Sequence, residues 1–377
     1  MTATADQIRA DAGDVVCVPL LEALLSEEQR WDELVAESPA SSPFMKHAWH
    51  SAWAKAADAE HVRSSFVVAL RGPHSVDAVL PLTVRPLRFR GRPVTALTWA
   101  TRSVGCPDHL DIPATAGAAL ESVVPTLEQL PWDLAIFSSV AENAGNLGRV
   151  IQEFSRRGHA VRQARLDVCP YLDLPASWDE CLATLSASRR QTVRRRERNV
   201  VREHGATLVD YAPDRLDEGW AHLHALHEAR WHGGGALSDT SERLLRHFFE
   251  SLASRGELWL TSLDLNGKPA AAWCGFACGD TVFFYQSGRD PEWESKSIGT
   301  VLMGMMIRRA IERGFRRFDF LRGEDSYKMS WTSTRRLIYE TVVFRHGLRG
   351  SFLRALDEVA RRRARRRGRG EHAVADQ

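Results

Sequence analysis

The stretch Phe283-Phe284-Tyr285-Gln286, then residues 287–297, then Ile298-Gly299-Thr300-Val301-Leu302, decides how this chain is read. The aromatic run is predicted to be a strand, the segment holding Pro291 a loop, and 298–313 a helix closed by Gly314. Val301, Leu302, Met303, Met305, Met306, Ile307, Ala310 and Ile311 make that helix apolar nearly all round, which predicts burial on most sides. Arg308, Arg309 and Arg313 suit the negative end of its dipole. The helix start offers unpaired N–H groups and the positive end of the dipole, a combination that attracts phosphate. Gly299 would let a pyrophosphate approach the backbone closely, and Lys296 adds a full charge. Residues 315–321 read as the next strand, carrying Asp319. The polar run from Arg322 to Trp331, with Tyr327 and Lys328, reads as a site loop.

Upstream lies the clearest meander in the chain. Strands are expected over 257–263, 270–277 and 281–286, with Asn266-Gly267 as a strong hairpin signal and Gly279-Asp280 as the second turn. Before it, helices are expected over 240–255 and 214–232, with Gly233-Gly234-Gly235 breaking the chain between them. Ser177 with Glu180 reads as a capping box opening one long helix that runs to about His204. Further out, strands are expected over 65–70, 78–84, 94–100, 132–137, 159–166 and 337–345. Helices are expected over 115–130 and 142–157, around Trp49 and Trp53, and from about Ser351 into the arginine run. The two halves share an order of helices, antiparallel strands, a helix and a short strand, which makes an internal duplication the expectation.

A chain of 377 residues, 44% hydrophobic, has room for two cores. Its net charge of +2 argues against a global polyanion binder, although arginines cluster at 189–202 and 361–369. The six cysteines form no CxxC pair and no dense framework, so a reducing, cytoplasmic setting is expected. The N-terminal residues carry neither a basic nor an apolar signal segment, and no apolar run is long enough to span a bilayer. No membrane partner is expected.

Tyr285, Ser297-Ile298-Gly299-Thr300-Val301-Leu302, Ala310 to Gly314, Phe318-Asp319 and Tyr327-Lys328 together resemble the Gcn5-related N-acetyltransferase (GNAT) core. Within it they are similar to the BioF2-like/CelD-like acetyltransferase domain, related to the Fem peptidyltransferases. The motif-bearing resemblance spans roughly 170–345, and the segments 43–53 and 80–82 look like that family's first half. It departs from the usual GNAT loop in one place: Val301 stands where a second small residue is customary. The resemblance implies an α/β (α+β) fold of tandem GNAT-like domains, each a mixed, mostly antiparallel sheet flanked by helices. The expected division is a disordered tail over 1–14, a degenerate N-terminal GNAT-like domain over 15–168, a C-terminal acyltransferase domain over 169–350, and a C-terminal helix with basic tail over 351–377. The resemblance also implies acyl-CoA, with acetyl-CoA the expected form, as co-substrate. Its contacts would come from Gln286, Lys296, Ser297, Ile298, Gly299 and Thr300.

The expected reaction is direct acyl transfer from CoA to an amine, on a small molecule or glycan, in polysaccharide or natural-product biosynthesis. Glu228 or Asp319 would be the base and Tyr327 the acid; Arg230, Trp231 and Lys328 would meet the acceptor. Plainer roles stand beside these: an ion-pair partner for Glu228, satisfaction of backbone donors for Asp319, a surface position for Tyr327 and Lys328. His222, His224 and His227 share a helix, and Cys274 and Cys278 one strand face, yet neither group has the partners a metal site needs, so no metal is expected. The arginines of 189–202 are read as a solvated face, or as a contact for the CoA 3′-phosphate or tRNA. A Fem-like transferase using aminoacyl-tRNA is therefore the second reading, and a catalytically inactive GNAT-like binding module the third. The oligomeric state is left open.

Overall fold

The structure is a computed structural model that describes residues 11–12, 14–72, 75–102, 104–211, 213–231 and 239–374. Its strands are β1 (Asp11–Ala12), β2 (Val15–Pro19), β3 (Ser65–Arg71), β4 (Val76–Phe89), β5 (Arg92–Trp99), β6 (Leu134–Ala141), β7 (Ala160–Asp173), β8 (Thr207–Asp210), β9 (Leu258–Leu265), β10 (Lys268–Cys278), β11 (Thr281–Arg289), β12 (Arg317–Asp319) and β13 (Arg335–Phe344). The helices are α1 (Leu20–Ser26), α2 (Glu28–Glu37), α3 (His47–Ala56), α4 (Ala59–Arg63), α5 (Val123–Gln129), α6 (Gly145–Arg156), α7 (Trp178–Thr184), α8 (Ala187–His204), α9 (Leu216–Trp231), α10 (Asp239–Ser254), α11 (Ile298–Glu312), α12 (Ser326–Met329) and α13 (Leu348–Val374).

All these strands join one sheet in the order β1-β2-β3-β4-β5-β6-β13-β7-β12-β11-β10-β9-β8. The same arrangement occurs twice. In the first half β5 and β6 run parallel for three residues, Ala96–Thr98 beside Leu134–Ile136. In the second half β11 and β12 do the same, Thr281–Phe283 beside Arg317–Asp319. Every other pairing is antiparallel.

The halves exchange their last strands. β13, from the end of the chain, inserts between β6 and β7. β7, the last strand of the first half, runs past it and gives its end, Tyr171–Asp173, to β12. The boundary expected at 168/169 thus falls inside a continuous strand. The core follows the same logic. One apolar cluster runs from Trp31, Trp49 and Phe66 of the first half to Phe248, Phe276 and Phe283 of the second, while a separate cluster packs α11 against the other face of the second half.

Several local expectations meet physical corrections. The long helix from Ser177 divides at Leu185. Ser177 does cap α7, accepting from Glu180 N at 3.2 Å, but Ser186 caps a new helix by accepting from Arg189 N at 3.2 Å. The first four N–H groups of a helix want such acceptors, and a second serine supplies them here. Within the expected tail, Asp11–Ala12 pairs with Val15–Val16. The Asn266-Gly267 turn forms as expected, both residues with positive φ (51° and 75°), the conformation that joins tight antiparallel strands. Gly233-Gly234-Gly235 lies outside the described residues. Among the described residues no helix is long and apolar enough to cross a membrane.

Candidate active site

The chain 281–289 does two things at once. Its first three residues hold β12, and beyond Phe283 the two strands part. Opposite β10, the register slips: Cys274 faces Gln286 and Gly275 faces Phe284, so Tyr285 has no partner and forms a bulge. Bulges bend a strand and re-aim its backbone groups. Phe284 points to the α11 side, where it stacks on Trp273 at 5.6 Å. Tyr285 points to the other face, packs on Phe44 and Phe276, and donates its hydroxyl hydrogen to Gly105 O at 2.7 Å.

A pocket opens where β11 leaves the sheet. Ser287, Gly288 and Arg289 form one wall, Gly299, Thr300 and Met303 of α11 another; Arg230, Tyr327 and Trp331 close it. The wall at Gly288 is tight. A Cβ there would lie 2.3 Å from His227 N, so α9 rests directly on the strand. Gly299 is the opposite case, because a Cβ would meet nothing nearer than the Arg289 guanidinium at 3.7 Å. The glycine face is therefore open beside a cation at the start of a helix of 15 residues. Ser297, with φ of 58°, begins α11 without giving its side chain to the helix N–H groups. That set of groups fits a phosphate.

The expected site residues separate into groups. Ser297, Ile298, Gly299 and Thr300 stand at the helix start, with Ile298 itself in the core. Lys296 is turned aside, its Nζ donating to Glu203 Oε2 at 3.3 Å. Gln286 Oε1 accepts from Ser287 N at 3.0 Å. Arg230 and Tyr327 meet: the guanidinium lies 5.7 Å over the phenol ring, and Arg230 Nη1 donates to Ser287 Oγ at 3.3 Å. Burial, then Asp325, push the Tyr327 pKa up, against the pull of Arg230. Burial and the neighbouring Arg289 lower that of Arg230.

The other candidates fall elsewhere. Asp319 is fully buried on the far side of the strand divergence, with His109 Nε2 at 3.1 Å from its Oδ2 and Leu321 N donating to its Oδ1 at 2.8 Å. Burial alone would raise its pKa; His109, Arg336 and the Leu321 N–H together outweigh that and leave it lowered. Lys328 is buried too and is spent on its own loop, donating to Arg322 O at 2.5 Å. Glu228 is a solvent-facing carboxylate near the end of α9, 62% exposed and 3.9 Å from His224 Nδ1. The side chain of Trp231 is outside the described set. Among the described residues no group of three or more His, Cys, Asp or Glu is placed to hold a metal.

Sequence reading passed over Trp273, Ser287, Arg289 and Trp331, and the loop 105–110 that the first half sends to the divergence. Arg322 binds Asp108 of that loop, with Nε 2.7 Å from Oδ1, and Ser139 Oγ at 2.8 Å. The triplet Ser287-Gly288-Arg289 had a visible signal, a glycine beside a cation just after an aromatic strand. The loop had none, since its partners lie some two hundred residues away.

A family model described as an acetyltransferase (GNAT) domain matches residues 187–329. This segment is similar to a GNAT acetyltransferase domain. The match takes in α8 through α12, hence every wall of the pocket but Trp331. Solved structures extend the likeness to both halves. FemX aligns at 11% identity and a TM-score of 0.57, covering 83% of this chain and 95% of that one. The C-terminal domain of a putative lysylphosphatidylglycerol synthetase from Agrobacterium fabrum aligns at 10% identity and 0.55, covering 89% and 96%. A conserved protein of unknown function from Bacteroides thetaiotaomicron aligns at 13% and 0.52, covering 85% and 97%. At such identities the likeness is one of fold: the mixed α/β, tandem GNAT-like architecture. No curated protein matches the sequence significantly.

Proposed function

We propose that this protein is an acyl-CoA-dependent N-acyltransferase, moving an acyl group, acetyl in the simplest case, directly to an amine. The observation that carries the reading is the open face of Gly299 beside Arg289, at the start of α11 and at the mouth of the strand divergence. The pyrophosphate would lie on the backbone of Ser297, Ile298, Gly299 and Thr300, with Arg289 beside it through Nη1 while its Nη2 donates to Glu294 Oε1 at 2.8 Å; Lys296 would join only by leaving Glu203. The pantetheine arm would follow β11 past Gln286, and the backbone freed at the Tyr285 bulge would hold the thioester oxygen.

In the reaction the amine nitrogen attacks the thioester carbonyl, the C–S bond breaks, and the thiolate takes a proton. Tyr327, kept protonated by burial, suits that last step. Glu228 suits removal of the ammonium proton through water, being the exposed carboxylate of α9 two residues before Arg230, which lines the pocket. Arg230 and Trp231 would face the acceptor. Asp319 and Lys328 would act at a distance, by fixing the loop that carries Tyr327. The first half, 15–168, would shape the acceptor cleft, and 169–350 would bind the donor. A cytoplasmic enzyme of the BioF2-like/CelD-like branch, acting on a sugar or natural-product amine, fits this account.

The second reading, transfer from aminoacyl-tRNA, has one observation in its favour: Arg195, Arg198 and Arg202 of α8 face solvent with no ion pair among the described residues. Calorimetric titration with acetyl-CoA and longer acyl-CoAs tests the main reading, and absence of binding to all of them sinks it. Salt-sensitive tRNA binding without CoA affinity would select the second. Absence of both, with Glu228→Gln and Tyr327→Phe silent, would leave the binding module.

A further inference from the structure

The C-terminal helix α13 shows opposite characters on its two sides. Its inner side is fastened by little: Leu353 enters a small apolar cluster with Val342 and Phe344, and the buried Asp357 carboxylate takes three cations. Arg90 Nη2 lies at 2.8 Å, Arg162 Nε at 2.9 Å and Arg361 Nε at 3.1 Å. The outer side carries Leu348, Phe352, Ala355 and Val359, spaced four, three and four residues apart, which aligns them in one stripe. Leu348 is 93% exposed, Phe352 51% and Val359 47%. These are three of the few large apolar side chains left in water among the described residues, and no described residue covers them. Directly after Val359 the sequence turns to Arg361-Arg362-Arg363-Ala364-Arg365-Arg366-Arg367-Gly368-Arg369. Across 348–370 there are nine arginines against two acids, Asp357 and Glu358. Both acids are already paired within the helix, with Arg361 and Arg362.

We propose that α13 docks this protein on an anionic lipid surface, its Leu348–Phe352–Val359 stripe entering the headgroup boundary and the arginines meeting lipid phosphates. The pairing of an apolar stripe with a one-sign polar remainder selects this partner. A phosphate backbone of a nucleic acid would use the arginines but leave the stripe in water. A second copy of α13 would cover the stripe, yet laid parallel it would set one arginine block against the other, and laid antiparallel it would set each block against the partner copy's Arg354. An anionic membrane satisfies both features, because apolar area and cationic charge add in interfacial helices. The inference stands independently of the acyl-transfer reading.

The test uses the intact protein with vesicles of phosphatidylcholine alone and of phosphatidylcholine mixed with phosphatidylglycerol. Sedimentation with the mixed vesicles only, weakening as salt is raised, is the expected result. Leu348→Asp/Phe352→Asp should abolish it, and Arg363→Gln, which leaves the Asp357 and Glu358 pairs intact, should weaken it about fivefold. Leu348 and Phe352 face solvent, so the circular dichroism and thermal midpoint of the double variant should match the parent and report an intact fold. Absence from both kinds of vesicle overturns the proposal. So does unchanged binding by the double variant, or a concentration-dependent dimer that Phe352→Asp dissolves.

Discussion

At the scale of single residues, the chemistry turns on which ionisable groups reach the pocket. Tyr327 does, and its elevated pKa keeps the phenol protonated through neutral pH. Replacing it with Phe should lower kcat roughly 100-fold with KM nearly unchanged, the size expected for losing a positioned proton donor. An unaltered kcat in steady-state assays would remove it from the proton path. Asp319 does not reach the pocket, and its prediction concerns stability. Removing the buried carboxylate leaves the Leu321 N–H and the His109 ring without their acceptor, so Asp319→Ala should cost about 1–3 kcal/mol in denaturant unfolding. The pH dependence has a definite sign. The folded-state pKa lies below the ordinary value, so the carboxylate's contribution is complete above about pH 4 and fades as pH falls through the folded pKa. The stability gap between parent and Asp319→Asn should therefore narrow on acidification. A gap that widens instead would contradict the assignment.

At the scale of elements, the pocket depends on how closely α9 rests on β11. Gly288 sets that distance, since any side chain there would strike the backbone of Leu226 and His227. Gly288→Ala should push the helix away and destabilise the fold by about 1–3 kcal/mol, as overpacking does, read as a lowered thermal midpoint. It should also open the contact between Arg230 and Ser287, weakening acyl-CoA binding if that is the donor. The order strand, turn, strand and helix in this region could be seen in the sequence, because Asn266-Gly267 and the apolar run of α11 act locally. The break between α7 and α8 was hidden. Ser186 is one serine among many, and only the turn of the chain at Leu185, between two helices that both pack on α11, makes it a cap.

At the scale of the whole molecule, the strand exchange makes the halves interdependent. A chain cut at 168/169 severs β7 within its pairing with β13, parts it from β12, and leaves β6 with β5 alone on one side. Separate expression of 15–168 and 169–350 should give chains that fail to fold or aggregate through their unpaired edges. The intact protein should unfold in a single calorimetric transition rather than two. Two resolved transitions, or a soluble first half with native-like circular dichroism, would show that the exchange is dispensable. The shared apolar cluster argues for the same cooperativity.

The sequence by itself determined the local elements of the second half, the phosphate-suited start of α11, and the doubling of one architectural plan. These rest on periodicity, turn chemistry and helix-end electrostatics, all written within a few residues. Tertiary structure alone decided that Asp319 is locked against His109, that Lys328 serves its own loop, and that Ser287 and Arg289 line the pocket. It also decided that β7 and β13 change places. Each of these depends on partners brought together from opposite ends of the chain, a choice made by burial and hydrogen-bond satisfaction over the whole sheet.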